Sequence, residues 1–324
     1  MKVVVIGGTG FLGYHAVLEL CRRGHTVTVV ARHTPKAGIL PESVQFKQAD
    51  IEDSSEAEIR VLLEGCDGVV FCSGVDDRAV PLAPAYQYFY DGNVRTTDLI
   101  FRLANEVGVK RGVLCGSYFT YFDRLWSEKK LAESHPYIKS RREQAKVALA
   151  AGKNMVVSVL ELPYIFGHTP GKVPLWRPLI KYAVSSLPLF YTSGGTTMIG
   201  VEHTAEAIVG ALENVESSNS FPVGDVNLTW EEMLGHFAKI AGKNKRVFTL
   251  PYQLLVLVTV FVKFYHHLKG KEAGLDPVKY MQFQTINTFI PEKDLAASRA
   301  ILKFDTGGIV KSFEETLIAC GLGS

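Results

Sequence analysis

Lys2-Val3-Val4-Val5-Ile6-Gly7-Gly8-Thr9-Gly10-Phe11-Leu12-Gly13 opens the chain. Residues 2–6 are a short, β-branched apolar run, as a strand buried on both faces of a parallel sheet requires. The glycines at 7, 10 and 13 then supply a tight turn, a close backbone approach to a pyrophosphate, and close packing of the next helix on the sheet. That helix turns its free N–H groups and positive end toward the phosphates. It is expected to present Phe11, Leu12, Ala16, Val17 and Leu20 on one side and to stop at Gly24, before a second strand at Thr26–Val30. A Gly-rich turn between such a strand and such a helix reads as nucleotide binding, with Gly7, Thr9, Gly10, Phe11, Leu12 and Gly13 as the contacts.

The whole chain has 324 residues, 47% of them hydrophobic, which suits one large α/β domain with a lobe attached, or two domains. A formal net charge of +2 without Lys/Arg blocks gives no electrostatic footprint for nucleic acid or a membrane surface. The five cysteines are an odd number without a CxxC pair, and read as reduced, buried thiols, with no metal site expected. Because the first strand starts at once, no signal peptide is expected, and the location expected is cytoplasmic.

Further strands place further candidates. The second strand ends in Ala31-Arg32-His33, where a unit selective for NAD carries Asp or Glu for the ribose 2′-hydroxyl. An arginine there suits a 2′-phosphate, so the cofactor expected is NADP(H), ahead of NAD(H), with Arg32 as discriminator. A third strand, Val44–Ala49, leads to Asp50-Ile51; Asp50 either receives the adenine amino group or caps the following helix. Val69–Cys72 is the fourth strand and delivers Ser73 to the cofactor crevice. The stretch Asp76–Tyr90 reads as a loop whose Tyr86, Tyr88, Phe89 and Tyr90 are substrate wall or core. Asn93 is expected to begin a helix running to Val107, and Gly112–Cys115 is the fifth strand, with Ser117 just beyond it.

These segments, together with Val109–Ser117, Pro136-Tyr137-Ile138-Lys139-Ser140-Arg141, Leu162–Gly167, Val201–Ala205 and a helix at Asp294–Phe304, resemble the short-chain dehydrogenase/reductase superfamily in its extended, epimerase/dehydratase-like branch. The resemblance covers nearly the whole chain. The implied fold is α/β: a Rossmann-type doubly wound parallel sheet over residues 1–166, with parts of 193–229 returning to it, and a smaller, mostly helical substrate lobe over 167–324. Cofactor contacts are implied for Gly7, Thr9, Gly10, Phe11, Leu12, Gly13, Arg32, Asp50, Ile51, Ser73, Asn93, Tyr137, Arg141, Pro163 and Tyr164.

In that family a Tyr with a Lys four positions later exchanges a proton with the substrate oxygen, and a Ser after the fifth strand orients that oxygen. Here the Tyr is Tyr137, the Ser is Ser117, and the Lys position holds Arg141. Arginine keeps a fixed charge that still favours a tyrosinate, but it relays no proton at working pH. A His135/Lys139 pair is the alternative reading. Glu161 stands where the family often has Arg, which argues against a diphosphate clamp, although Lys172, Arg177 and Lys181 leave room for one.

The function expected is therefore an NADPH-dependent oxidoreductase interconverting a carbonyl and an alcohol on a small, lipophilic substrate. The alternatives are a nucleotide-sugar epimerase/dehydratase with tightly bound NAD, and a catalytically impaired cofactor-binding scaffold. Dimerisation through two helices of the nucleotide-binding lobe is a family habit, so a homodimer is an expectation.

In the second half, Thr229/Glu232 and Ser312/Glu315 read as capping boxes, and His203, just before a helix, as structural. The segment Pro251–Leu268 is strongly apolar, with a nearly all-apolar run at Leu254–Val262 that is too short to span a bilayer. A buried helix of the small lobe is the first reading; a pocket wall and an interfacial membrane helix are the others.

Overall fold

The computed structural model describes residues 1–322. The first half alternates strands and helices: β1 (Lys2–Ile6), α1 (Phe11–Arg22), β2 (Thr26–Ala31), β3 (Gln45–Gln48), α2 (Glu56–Leu63), β4 (Gly68–Phe71), α3 (Ala85–Phe89), α4 (Thr96–Glu106), β5 (Arg111–Cys115), α5 (Phe119–Leu125), α6 (Leu131–Ser134), α7 (Pro136–Ala151) and β6 (Val156–Glu161). The second half continues with β7 (Tyr164–Phe166), α8 (Arg177–Ala183), β8 (Leu189–Tyr191), β9 (Gly195–Gly200), α9 (Val201–Asn214), β10 (Asn219–Pro222), β11 (Val226–Thr229), α10 (Trp230–Ile240), β12 (Val247–Thr249), α11 (Tyr252–Leu268), α12 (Pro277–Gln284), β13 (Asn287–Thr288), α13 (Glu292–Leu302) and α14 (Ile309–Ala319).

Seven parallel strands form the main sheet in the order β3-β2-β1-β4-β5-β6-β10. This is the α/β, Rossmann-type doubly wound sheet expected. Alternate residues of β1 feed opposite cores: Val3 and Val5 pack with Ala16, Val17, Leu20 and Ile208, while Val4 and Ile6 pack with Ile59, Leu63, Ile100 and Phe101. That two-sided burial is why the strand has no polar alternation. The order reverses between β1 and β4, and the crevice at their C-terminal ends is where such sheets bind ligands. Beyond it, β7 and β11 flank β9 with β13, and β8 pairs with β12.

Four local expectations need correction. The helix expected to start at Asn93 starts at Ala85, and one π-helical stretch, Tyr90–Arg95, joins α3 to α4. Asp91-Gly92 carries a loop signal, yet tertiary packing overrides it: a Cβ on Gly92 would lie 2.5 Å from Val75. Asp50 does not cap α2; Ser55 and Glu58 do, as a complete capping box. The Thr229/Glu232 box is present, whereas α14 begins at Ile309 after a left-handed Gly308, so Ser312 lies inside it. Lastly, α11 is not core: none of its 17 residues is buried, and no helix among the described residues is long and apolar enough to cross a membrane.

Candidate functional site

Two compartments share Cys72, Ser73 and Gly74 and form one cleft over the ends of β1, β4 and β5. The outer one, about 490 Å³, is lined by Gly7, Thr9, Gly10, Arg32, Asp50 and Ile51, and the inner one, about 460 Å³, by Phe11, Leu12, Ser117, Tyr137, Arg141, Pro163 and Tyr164. Two expected contacts lie outside both. A Cβ on Gly13 would fall 2.3 Å from the Gly7 carbonyl oxygen, so this glycine seats α1 on the turn. Asn93 is fully buried and spans Val75: its Oδ1 accepts from the Val75 N–H at 2.8 Å, and its Nδ2 donates to the Val75 carbonyl at 3.1 Å and to Ser140. It holds the crevice loop in place.

The outer compartment fits the diphosphate and adenosine portion of a dinucleotide. Gly7 has φ +80°, and any Cβ there would meet the Cys72 backbone at 3.0 Å, so only glycine leaves this cradle open. At its rim stand Arg32, His33 and Lys36, and the end of β2 carries no carboxylate. From the second half of the chain, Thr169–Lys172 completes the wall, and the Lys172 ammonium donates to the Thr9 carbonyl.

In the inner compartment, α7 starts with Pro136 at its first position and carries Tyr137 and Arg141 one turn apart, both buried. Phe89 and Phe119 pack edge-on against the Tyr137 ring, with centroids at 5.7 and 6.0 Å. Burial raises the Tyr137 pKa; Arg141 and the Ser117 hydroxyl oppose the rise, and Asp77 adds to it. Arg141 donates to the Cys115 carbonyl at 2.7 Å and lies 5.9 Å from the Tyr137 ring, while its buried Nε has no partner. An orphaned guanidinium N–H on a residue that lines this crevice suits a ribose hydroxyl of a dinucleotide reaching in from the outer compartment. The arrangement offers a protonated phenol, a hydroxyl and a permanent cation around one cavity.

His135 and Lys139 are not brought to the cleft. The His135 Nδ1 accepts from the Asp276 N–H at 3.0 Å, and Lys139 sits 3.9 Å over the Tyr86 ring. Glu161 is fully buried, turned toward Arg124, which grips it with two hydrogen bonds, and toward Thr120. Its charge is neutralised away from the cleft, so it says nothing about a diphosphate. What does bear on the point is the lining itself. Besides Arg141 the inner compartment holds one basic residue, Arg78, already paired with Asp76; Lys172 lies in the outer one, and Arg177 donates to the Cys320 carbonyl.

Sequence reading missed Asp76, Asp77 and Arg78 at the inner mouth, where burial and Asp76 raise the Asp77 pKa. It also missed Leu175 and Trp176, the latter stacked on Tyr164 at 5.2 Å. These residues come from irregular segments with no periodic signal, and only the fold shows which way they face.

The sequence profile of the NAD dependent epimerase/dehydratase family matches residues 3–224. A sterol-4-alpha-carboxylate 3-dehydrogenase, decarboxylating, of Mus musculus is 27% identical over 317 residues, covering 90% of this chain and 84% of that protein. A UDP-glucose 4-epimerase of Lactobacillus helveticus is 33% identical over 122 residues, and the match spans 37% of each chain. Among solved structures, gox2253 superposes with a TM-score of 0.79 at 18% identity, over 100% of this chain and 99% of that one, a likeness of fold.

Proposed function

The chain belongs to the NAD dependent epimerase/dehydratase family, and from that premise we propose that it uses NADP(H) to interconvert a carbonyl and an alcohol on a small, lipophilic substrate. The observation that carries this reading is the inner compartment: Phe11, Leu12, Phe119, Tyr164, Leu175 and Trp176 line it together with Tyr137, Asp76 and Asp77, and the one base there besides Arg141 is already paired with Asp76. Such walls suit an apolar body with one polar oxygen. They offer little to a nucleotide-sugar diphosphate, which wants free Arg or Lys.

When bound, the nicotinamide gives or takes a hydride at the substrate carbon. Tyr137 holds the proton for the substrate oxygen, and its raised pKa keeps the phenol loaded at neutral pH, the state a carbonyl reduction needs. Ser117 orients that oxygen. Arg141 holds the ribose through its free Nε and keeps its own proton. Arg32 takes the 2′-phosphate, which gives NADP(H) preference over NAD(H), the cofactor named in the family's description.

The test is to denature the purified protein, identify the nicotinamide nucleotide released, and measure whether NADPH exchanges into the native protein. Freely exchanging NADP(H), with turnover on a panel of apolar ketones and aldehydes, is the expected result. Retained, non-exchanging NAD⁺ would make the epimerase/dehydratase the better reading; good NADPH binding without any turnover would favour the scaffold.

A further inference from the structure

The outward side of α11 is an apolar stripe that also carries Tyr265 but no charged residue. Leu254, Leu257, Val258, Phe261, Phe264 and Leu268 recur at helical spacing, and Phe261 and Leu268 are 65% and 66% exposed. The helix's inner side, Leu255, Val256, Thr259 and His266, is half-buried against the body of the protein. With 17 residues the stripe runs about 25 Å. Directly before it, β12 and its partner β8 expose Phe248 and Phe190, ring centroids 5.6 Å apart, which lengthens the apolar surface. An exposed apolar surface of this extent marks an interaction site.

Charge around the stripe identifies the occupant. No Asp or Glu occurs from Met233 to Lys271, while Lys243, Lys245 and Arg246 precede the helix, the two lysines donating to backbone carbonyls between Ala183 and Leu187, and Lys269 and Lys271 follow it. The next acids are turned inward: Glu272 accepts from the Ala85 N–H at 2.7 Å, and Asp276 holds Lys263 at 2.6 Å and caps α12. A second copy of this chain is a poor fit, since both ends of the helix are basic and either pairing direction opposes like charges. A flat anionic surface complements both ends at once.

We propose that α11 docks the protein on the surface of a bilayer containing anionic phospholipid. The helix lies in the interface plane, its stripe in the acyl boundary and its flanking lysines and arginine among the headgroups. The helix does not span, and this surface stands independently of the reaction proposed above.

The full-length protein is mixed with vesicles of phosphatidylcholine alone, or of phosphatidylcholine with phosphatidylglycerol, and sedimented. The expected result is co-sedimentation with the anionic vesicles, roughly tenfold or more stronger than with neutral ones and weakened by salt. Val258→Glu/Phe261→Glu, exposed positions in both cases, is expected to stay in the supernatant with unchanged melting temperature and nucleotide binding. Lys269→Ala/Lys271→Ala is expected to retain weak binding with less dependence on the anionic lipid. Wild-type protein left in the supernatant, equal binding to neutral vesicles, or undiminished binding by the Glu variant would overturn the proposal. So would a dimer by light scattering that Val258→Glu/Phe261→Glu splits while vesicles bind nothing, for then a second copy covers the stripe.

Discussion

Tyr137 sits beside a fixed positive charge instead of a titratable one, and that difference sets how its activity responds to pH. Burial raises its pKa and Arg141 restrains the rise. Removing the charge in Arg141→Met raises the pKa further, so the rising limb of alcohol oxidation, which needs the phenolate, is expected to move to higher pH in a rate–pH profile. Tyr137→Phe is expected to lower turnover by about 10²–10⁴-fold with nucleotide affinity unchanged, as kinetics and equilibrium binding measured side by side will show. Arg32 stands at the outer rim, where its charge would meet the 2′-phosphate of the proposed NADP(H) and nothing comparable in NAD(H). Arg32→Ala is expected to weaken NADPH binding by roughly 10–100-fold and leave NADH binding almost unchanged; equal loss for both would refute its role as discriminator. That these residues come to line one cleft was legible from the chain because their signals are local: a Gly-rich turn between strand and helix, a strand end, one helical turn from 137 to 141.

At the scale of elements, legibility ended where a contact joins distant segments. In the π-turn, the buried Asn93 carboxamide satisfies the backbone of Val75, a residue in the loop after β4. Glu161 looked like a charge in the site until Arg124, on α5, was seen to neutralise it. The start of α7 shows the same dependence. His135 precedes Pro136, is 2% exposed, and accepts a hydrogen bond from the Asp276 N–H, so its imidazole must be neutral in the fold. Burial depresses its pKa from 6.5 to about 4. The unfolded chain therefore binds a proton that the native one refuses between those values. Stability from this site is complete above pH 6.5 and falls by up to about 3 kcal/mol as pH drops toward 4. His135→Asn keeps an acceptor but cannot titrate. Chemical denaturation from pH 7.5 to 4 is expected to show a shallower loss of stability for this variant than for wild type.

Across the whole molecule, the halves of the chain meet at the cofactor crevice, and this joint was the least readable part of the sequence. Lys172 was read, with Arg177 and Lys181, as a base leaving room for a diphosphate clamp; in the fold it reaches from the segment after β7 back to the Thr9 carbonyl, over the Gly-rich turn. Burial lowers its pKa, yet it stands next to the site where phosphate charge would enter. A bound dinucleotide would thus be held from both sides, by the turn's N–H groups and by a cation from the second half of the chain. Nucleotide at a hundred times its dissociation constant stabilises the native state by about 2.7 kcal/mol, or roughly 4 °C in melting temperature for a chain of this size. For Lys172→Ala the same nucleotide concentration is expected to give a visibly smaller shift, and stopped-flow displacement a faster release, while the nucleotide-free protein melts within about 1 °C of wild type. An unchanged release rate would mean that the lysine merely closes the loop on the turn and that the dinucleotide is held from the sheet side alone.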